Sequence, residues 1–199
     1  MSTERTSLRR QLRQARRALP PLQQRQASQR LLLQLAQHPL FRRSKHIAFY
    51  LANDGEISPE LLIQQACRMG KHCYLPVLAR WPASRMSFQR ILPDQRWVKN
   101  RFGIREPERN HPLQARPWRL DLVLMPLVGF DDKGNRLGMG GGFYDRLFEF
   151  RQRRQRWPGP KLLGLAHHCQ KVDNLPTAPW DIPLDGIVTD QQVLLLPSG

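Results

Sequence analysis

Acidic residues are scarce in this chain of 199 residues: 16 Asp and Glu face 32 Lys and Arg, a formal net charge of +16. The imbalance is steepest at the start, where residues 1–45 hold 11 basic side chains and the single acid Glu4. Such a balance reads either as a solvated basic surface or as a partner that is polyanionic, nucleic acid or a phosphate-rich small molecule. Aromatics are only 8% of the chain, and they show no RRM, KH or zinc-finger spacing, so the charge alone does not make an RNA-binding protein. Cysteine is sparse too. Cys67, Cys73 and Cys169 form no CxxC and leave one over, which excludes a disulfide framework and predicts free thiols in a reducing, cytoplasmic compartment. The run His167-His168-Cys169 lacks zinc-ligand spacing. No apolar run approaches the roughly 18–20 residues of a membrane span, no secretory signal core follows the start, and no internal repeat is visible.

What is present is a folded unit. Hydrophobic residues make up 40% of the chain, enough to bury a core, and the length suits one domain over 1–199. "SLRRQLRQARRAL" sets Leu8, Leu12, Ala15 and Leu19 at helical spacing with Arg5, Arg9, Arg13 and Arg16 or Arg17 on other faces. Pro20-Pro21 ends that helix and can open a second, running to His38-Pro39. The two read as an N-terminal helical hairpin. Beyond it strands and helices alternate: a strand over 46–52, a turn, a helix capped by Ser58 and opened by Pro59, the strand "KHCYLPVL", and "MSFQRI". "DLVLMPLVGF" (121–130) is apolar on both faces as far as Pro126, like a central parallel strand. "FYDRLFEFRQRR" reads as a helix within a second basic cluster at residues 146–161, and "KLLGLAHH" and "GIVTD" as closing strands. The pattern predicts an α/β fold with three layers, a mostly parallel sheet flanked by helices. Residues 90–119 lack periodicity and read as a long surface excursion.

The stretch "NRLGMGGGFYDR" (135–146) places Gly138, Gly140, Gly141 and Gly142 between a core strand and a helix, where a flexible linker has no business. Backbone N–H groups of such a loop can turn toward an anion, at the sheet edge where α/β folds bind ligands. It is not a Walker A loop, since no GK[ST] follows. Nor is it a dinucleotide fingerprint, because Phe143 stands where the third glycine belongs. The residues themselves stop at a phosphate-binding loop of unknown ligand.

With its upstream residues, "DLVLMPLVGFDDKGNRLGMGGGFYDRL" resembles the signature of the 5-formyltetrahydrofolate cyclo-ligase family, also called 5,10-methenyltetrahydrofolate synthetase. "SLRRQLRQARRAL", "FYLANDGEISPELL", "KHCYLPVL" and "GLAHHCQKVDNLPTAPWDIPLDGIVTD" are similar to that family in order and spacing, weakest over 80–119. The resemblance implies ATP-dependent closure of 5-formyltetrahydrofolate to 5,10-methenyltetrahydrofolate, with ADP and phosphate released. It implies ATP contacts from Arg5, Arg9, Arg136, Leu137, Gly138, Met139, Gly140, Gly141, Gly142, Phe143 and Tyr144, with Arg136 as the catalytic residue at the transferring phosphoryl group. Leu51 and Glu56, with Met139, Gly140, Gly141, Gly142 and Phe143, are implied to touch folate, and Asp145 and Asp185 to hold Mg2+. Implied partners are ATP and 5-formyltetrahydrofolate, polyglutamylated or not; with no dimer seam and no apolar span in the sequence, a monomer is expected, with no membrane and no need of nucleic acid.

Two positions depart from the family pattern. Phe143 replaces the first of two tyrosines usual there, losing a hydroxyl but keeping a ring, and Met139 stands where the loop is sometimes basic. Without the resemblance, Arg5 and Arg9 read as a solvated helix face, Asp145 as a first-turn acid, Asp185 as a turn residue and Glu56 as surface. Two other functions stay on the table: a nucleic-acid binder using the basic N-terminus, and an idle relative that binds ligand without turnover.

Overall fold

A computed structural model of the chain describes residues 3–153 and 159–196. Helix α1 (Thr3–Arg17) and helix α2 (Pro21–Ala36) meet at Pro20, whose ψ of 151° cannot continue a helix. A short helix α3 (Pro39–Arg43) leads into strand β1 (His46–Ala48). Helix α4 (Glu60–Arg68) then crosses to β2 (His72–Leu78), which turns back into β3 (Met86–Arg90). The remaining strands are β4 (Trp97–Lys99), β5 (Arg105–Pro107), β6 (Gln114–Ala115), β7 (Leu122–Pro126), β8 (Gly129–Phe130), β9 (Arg136–Leu137), β10 (Lys161–Ala166), β11 (Gly186–Thr189) and β12 (Val193–Leu195). Helices α5 (Phe143–Phe148) and α6 (Phe150–Arg153) lie between β9 and β10.

Eight strands form one sheet in the order β12-β11-β10-β7-β1-β2-β3-β6. The five inner strands from β11 to β2 are parallel, and β12, β3 and β6 join antiparallel at the edges. Side chains alternate across it, as the period of a strand requires. Ile47, Leu122, Leu124, Leu163 and Leu165 point into a core shared with Leu31 and Leu35 of α2 and Leu62 and Ala66 of α4. Ala48, Val123, Met125, Leu162 and Ala166 point the other way, against Phe88, Phe130 and Phe148. Both faces are covered, so the central strands read as unbroken apolar runs.

The chain steps from β1 to β2 in one direction and then returns to lay β7 on the opposite side of β1. That reversal opens a crevice at the carboxyl ends of β1 and β7, the place where doubly wound sheets receive ligands. Helix α1 lies across it. Leu12 packs so closely on Gly129 that a β-carbon there would collide with its methyl group. The expected helical hairpin therefore divides its work: α2 covers the sheet face, while α1 lies against the crevice and the turn His168–Gln170.

Several boundaries moved from where the sequence put them. The strand expected over 46–52 stops at Ala48, because beyond it Tyr50 turns its hydroxyl onto the Ile57 carbonyl at 2.6 Å. Helix α4 starts at Glu60, whose N–H donates to the Ser58 hydroxyl at 3.3 Å. The strand expected over 121–130 breaks at Pro126, and Gly129–Phe130 folds back on Arg136–Leu137 as a hairpin. The glycine loop thus follows a hairpin and not the core strand itself. The expected helix from Phe143 divides into α5 and α6, and its last residue, Arg154, lies outside the described residues, as does Arg156 of the same basic cluster. Residues 90–119 are no structureless excursion. They form the β4–β5 hairpin and the edge strand β6. The hairpin turns on Asn100, whose side chain accepts from Phe102 and Ile104, and is tied down by Glu106, which accepts from the Leu78 N–H at 3.2 Å.

Candidate functional site

The loop after β1 carries the tight turn Asn53-Asp54-Gly55-Glu56, with φ of 55° at Asp54 and 76° at Gly55. Glycine is needed at the second place: the last turn of α1 comes so near that a β-carbon would lie 3.3 Å from the Arg16 carbonyl oxygen. Three arginines of α1 converge on the turn. Arg13 Nε donates to Asp54 Oδ2 at 2.8 Å, and Arg17 binds Asp54 Oδ1. Arg16 is 0% exposed. Its Nε donates to the Asp54 carbonyl at 2.8 Å, its Nη2 to Asp54 Oδ2 at 2.8 Å, and its Nη1 to the Leu127 carbonyl at 3.1 Å. Arg16 therefore joins the carboxyl end of β1 to that of β7. Burial alone would raise the Asp54 carboxyl, but the three arginines outweigh it and hold the group at about 2.

Glu56 is the second acid of this turn. Burial pushes its carboxyl up to about 7, against the opposing pull of Arg16 at 3.7 Å and of the Asn53 N–H at 3.1 Å. Two phenols share its surroundings, Tyr50 and Tyr144. Burial, with Glu56 beside them, raises both. A carboxyl poised this close to neutrality beside the crevice is the kind of group a binding or catalytic site contains.

The opposite wall is the glycine loop. Asp131 fixes the hairpin that precedes it by accepting from the N–H groups of Lys133 and Asn135, each at 3.0 Å, and from Leu175 at 3.1 Å. This places Arg136 at the end of β9, 8% exposed, with Nη2 donating to Asp145 Oδ1 at 2.6 Å. Asp145 Oδ1 also accepts from the Ile182 N–H at 3.3 Å. Arg136 Nε is buried and has no hydrogen-bond partner among the described residues. The loop then opens outward. Gly140 has φ of 95° and Gly142 of 62°, and among the described residues the N–H groups of residues 139–142 donate to no protein acceptor. Arg9 reaches over from α1 to donate to the Gly138 carbonyl at 2.8 Å, and Arg146 donates to that of Gly141 at 2.5 Å. Burial, with Arg5 nearby, lowers the Arg9 guanidinium. Phe143 is flanked by the Arg146 guanidinium at 5.4 Å and that of Arg101 at 5.7 Å, and meets Phe102 edge-on at 6.3 Å.

The structure thus brings Arg9, Glu56, Arg136, Asp145 and the loop from Leu137 to Tyr144 to one crevice, with Leu51 half-buried in the adjoining core. Arg5 stands one turn before Arg9, but its fork grips Asp181, at 2.8 and 3.2 Å. Asp185 sits at the amino ends of β10 and β11, away from the loop. It binds Arg151 at 2.9 Å, Lys161 at 3.0 Å and the Leu162 N–H at 2.8 Å. Sequence reasoning missed Arg13, Arg16, Arg17, Asp54 and Tyr50. One signal was available and was misplaced: of Arg16 and Arg17, expected on other faces, Arg16 falls on the stripe of Leu8 and Leu12 and is buried, a charge where an apolar residue belongs, and Arg17 is the exposed one. The His167-His168-Cys169 run closes a turn in which the Gln170 side chain donates to the Leu127 carbonyl at 2.8 Å and the Val128 carbonyl at 3.0 Å. The three cysteines are unpaired thiols. Among the described residues no three His, Cys, Asp or Glu side chains gather as a metal-ligand set, and no helix is long and apolar enough to cross a membrane.

Fold and site define a doubly wound α/β protein with a glycine loop, its N–H groups unmet by protein acceptors among the described residues, at its switch point. The sequence profile of the 5-formyltetrahydrofolate cyclo-ligase family matches residues 1–190. A 5-formyltetrahydrofolate cyclo-ligase of Haemophilus influenzae is 44% identical, over 94% of this chain and 99% of its own. Its counterpart in Escherichia coli K12 is 41% identical, over 92% and 98%. The solved structure of the 5,10-methenyltetrahydrofolate synthetase of Aquifex aeolicus superposes with a TM-score of 0.81 at 31% identity, covering 98% of this chain and 94% of that one. The chain belongs to the 5-formyltetrahydrofolate cyclo-ligase family and is an enzyme.

Proposed function

We propose that the chain catalyses the ATP-dependent cyclisation of 5-formyltetrahydrofolate to 5,10-methenyltetrahydrofolate. The N5 formyl group is an amide, with a poorly electrophilic carbon and an oxygen that leaves reluctantly. Transfer of the γ-phosphoryl group to that oxygen, with ADP departing, cures both faults. N10 then attacks the formyl carbon and loses its proton, and the C–O bond breaks to release phosphate carrying the formyl oxygen. No enzyme nucleophile is required, so the protein's task is to position the reactants, neutralise phosphate charge and exclude water.

The observation that carries this reading is the unmatched donor set on one wall of the crevice: Arg136 Nε buried without a partner, beside loop N–H groups that face outward. These donors suit the oxygens of a triphosphate. Arg136 would stabilise the transferring phosphoryl group, and Arg9 would add charge from α1, a helix that Arg5 anchors through Asp181. Across the crevice, Glu56 would accept from the N–H groups of the pterin, with Leu51 and Phe143 against its ring. Magnesium suits Asp145, whose Oδ2 accepts no hydrogen bond among the described residues and could join phosphate oxygens around a hard cation. When bound, the ion would neutralise part of the phosphate charge. Asp185, already held by two cations and a backbone N–H, is better suited to joining α6 to the sheet.

The test follows the near-ultraviolet absorbance of the methenyl product when protein meets 5-formyltetrahydrofolate, ATP and magnesium. A rise that needs all three components and collapses in Asp145→Asn is expected. A flat trace from folded wild-type protein would overturn the proposal.

A further inference from the structure

We infer that the amino end of the sheet, opposite the catalytic crevice, is a surface for the phosphate backbone of a nucleic acid. The charge of the chain is not spread evenly. Residues 5–53 and 61–93 contain no Asp or Glu at all. Five arginines of the first stretch, Arg5, Arg9, Arg13, Arg16 and Arg17, are engaged at the crevice by Asp181, Gly138 and Asp54. The N-terminal helix, where the sequence concentrates its charge, is therefore occupied with the catalytic end.

Six of the other eleven cations of these stretches gather elsewhere. Arg42 and Arg43 end α3, Lys45 precedes β1, Arg68 ends α4, Lys71 precedes β2, and Arg90 ends the antiparallel β3. The register of β1 with β2 sets His46 beside His72, so Lys45 and Lys71 are brought together. Lys71 Nζ donates to the carbonyls of Arg42 at 2.8 Å and Ser44 at 2.7 Å, which fixes the end of α3 to the start of β2. Arg42, Arg43, Lys45 and Arg68 are exposed, and no carboxylate bridges any of the six among the described residues. Two acids lie at this end: Asp185, on the β10–β11 side, is held by Arg151 and Lys161, and Asp121, nearer the patch, turns its carboxylate onto the backbone N–H groups of Lys45 and His46, at 2.7 and 2.8 Å. Asp94, beyond β3, is the next acid along the chain.

Crowding like charges costs stability unless something opposes them. The makeup of the patch indicates what that is. Four of its six cations are arginines, whose planar forks match phosphate oxygens better than an ammonium does. The rings of His46 and His72, 4.7 Å apart, lie among them and offer a face on which a base can rest. The surface fits a polyphosphate chain and lies at the far end of the sheet from the loop that would hold ATP.

The test is fluorescence anisotropy of a labelled single-stranded RNA of about 20 nucleotides, titrated with the full chain across a salt series. With six cations engaged, log K should fall with log salt at a slope of about −4. The variant Arg42→Gln, Arg43→Gln, Lys45→Gln, Arg68→Gln should bind at least tenfold more weakly and lose about three of that slope, while methenyl-forming activity and the urea midpoint stay those of the wild type. Three results would overturn the inference: no binding at low salt, binding equally strong in the variant, or binding displaced by ATP with 5-formyltetrahydrofolate. Capture by phosphatidylserine vesicles without RNA binding would overturn it too, in favour of a membrane surface.

Discussion

Arg16 and Arg136 are both buried arginines at the same crevice, and each faces an aspartate. Every guanidinium nitrogen of Arg16 has a protein acceptor, in Asp54 or Leu127. Arg136 holds Asp145 with one nitrogen and leaves Nε with none. Removing a charge from water is costly unless its donors are met. A saturated arginine is therefore explained by the fold, whereas a half-satisfied one keeps a donor for which the fold supplies no acceptor, the donor that the proposed function gives to phosphate. The same contrast separates the two walls. The Asp54 turn is locked by three arginines, and the glycine loop exposes donors that no protein group answers.

The largest effect should come from breaking the saturated side. Arg16→Met leaves Asp54 without its buried partner and frees the β1 loop from β7, and should lower stability by about 3 kcal/mol, read from the urea midpoint. Arg136→Lys tests the other arginine. It should leave the midpoint nearly unchanged and lower methenyl formation by about a hundredfold, the scale for one charge-stabilising donor. An equal loss of stability in both variants would erase the distinction between them.

Glu56 sharpens the comparison through pH. Its folded carboxyl is raised from 4.5 to about 7, so its contribution to stability is complete below 4.5 and is lost as pH rises through 7. Asp54 runs the other way, held at about 2, and its contribution disappears only as pH falls through that value. Glu56→Gln should flatten the decline in stability between pH 4.5 and 7 and leave the acid limb untouched, as urea melts across that range would show. The smallest effect is expected at Gly140, whose φ of 95° excludes a β-carbon without strain. Gly140→Ala should raise the KM for ATP about tenfold and lower stability, read from the urea midpoint, by on the order of 1–2 kcal/mol, the strain of the left-handed backbone.

Much of the fold was legible because it rests on periodicity and punctuation. Pro20-Pro21 divides two helices, and the apolar run ending at Pro126 is a central strand. Residues 90–119 were illegible because their structure is built from pairings of two or three residues, tied down through Glu106 and Gln89, whose partners Leu78 and Asn110 lie well away along the chain. The glycine loop suggested an anion site by composition, and the family resemblance added Arg9, Glu56, Arg136 and Asp145 as its expected neighbours, which the structure brings to the same crevice. The role of Arg16 went unnoticed because a charge on a helix stripe acquires meaning only once Asp54 and Leu127 are placed around it.

By itself, then, the sequence determined a three-layer, mostly parallel sheet flanked by helices, a glycine loop between strand and helix, and a surplus of positive charge. These follow from local spacing, turn chemistry and counting, which need no partner. Tertiary structure alone decided that α1 lies across the switch point, that Glu56 is buried to near neutrality, that Asp185 joins α6 to the sheet, and which arginines are paired. Such properties depend on the dielectric and the hydrogen-bond partners around each group. Those are supplied by residues distant in the chain, brought near only when the sheet closes its order.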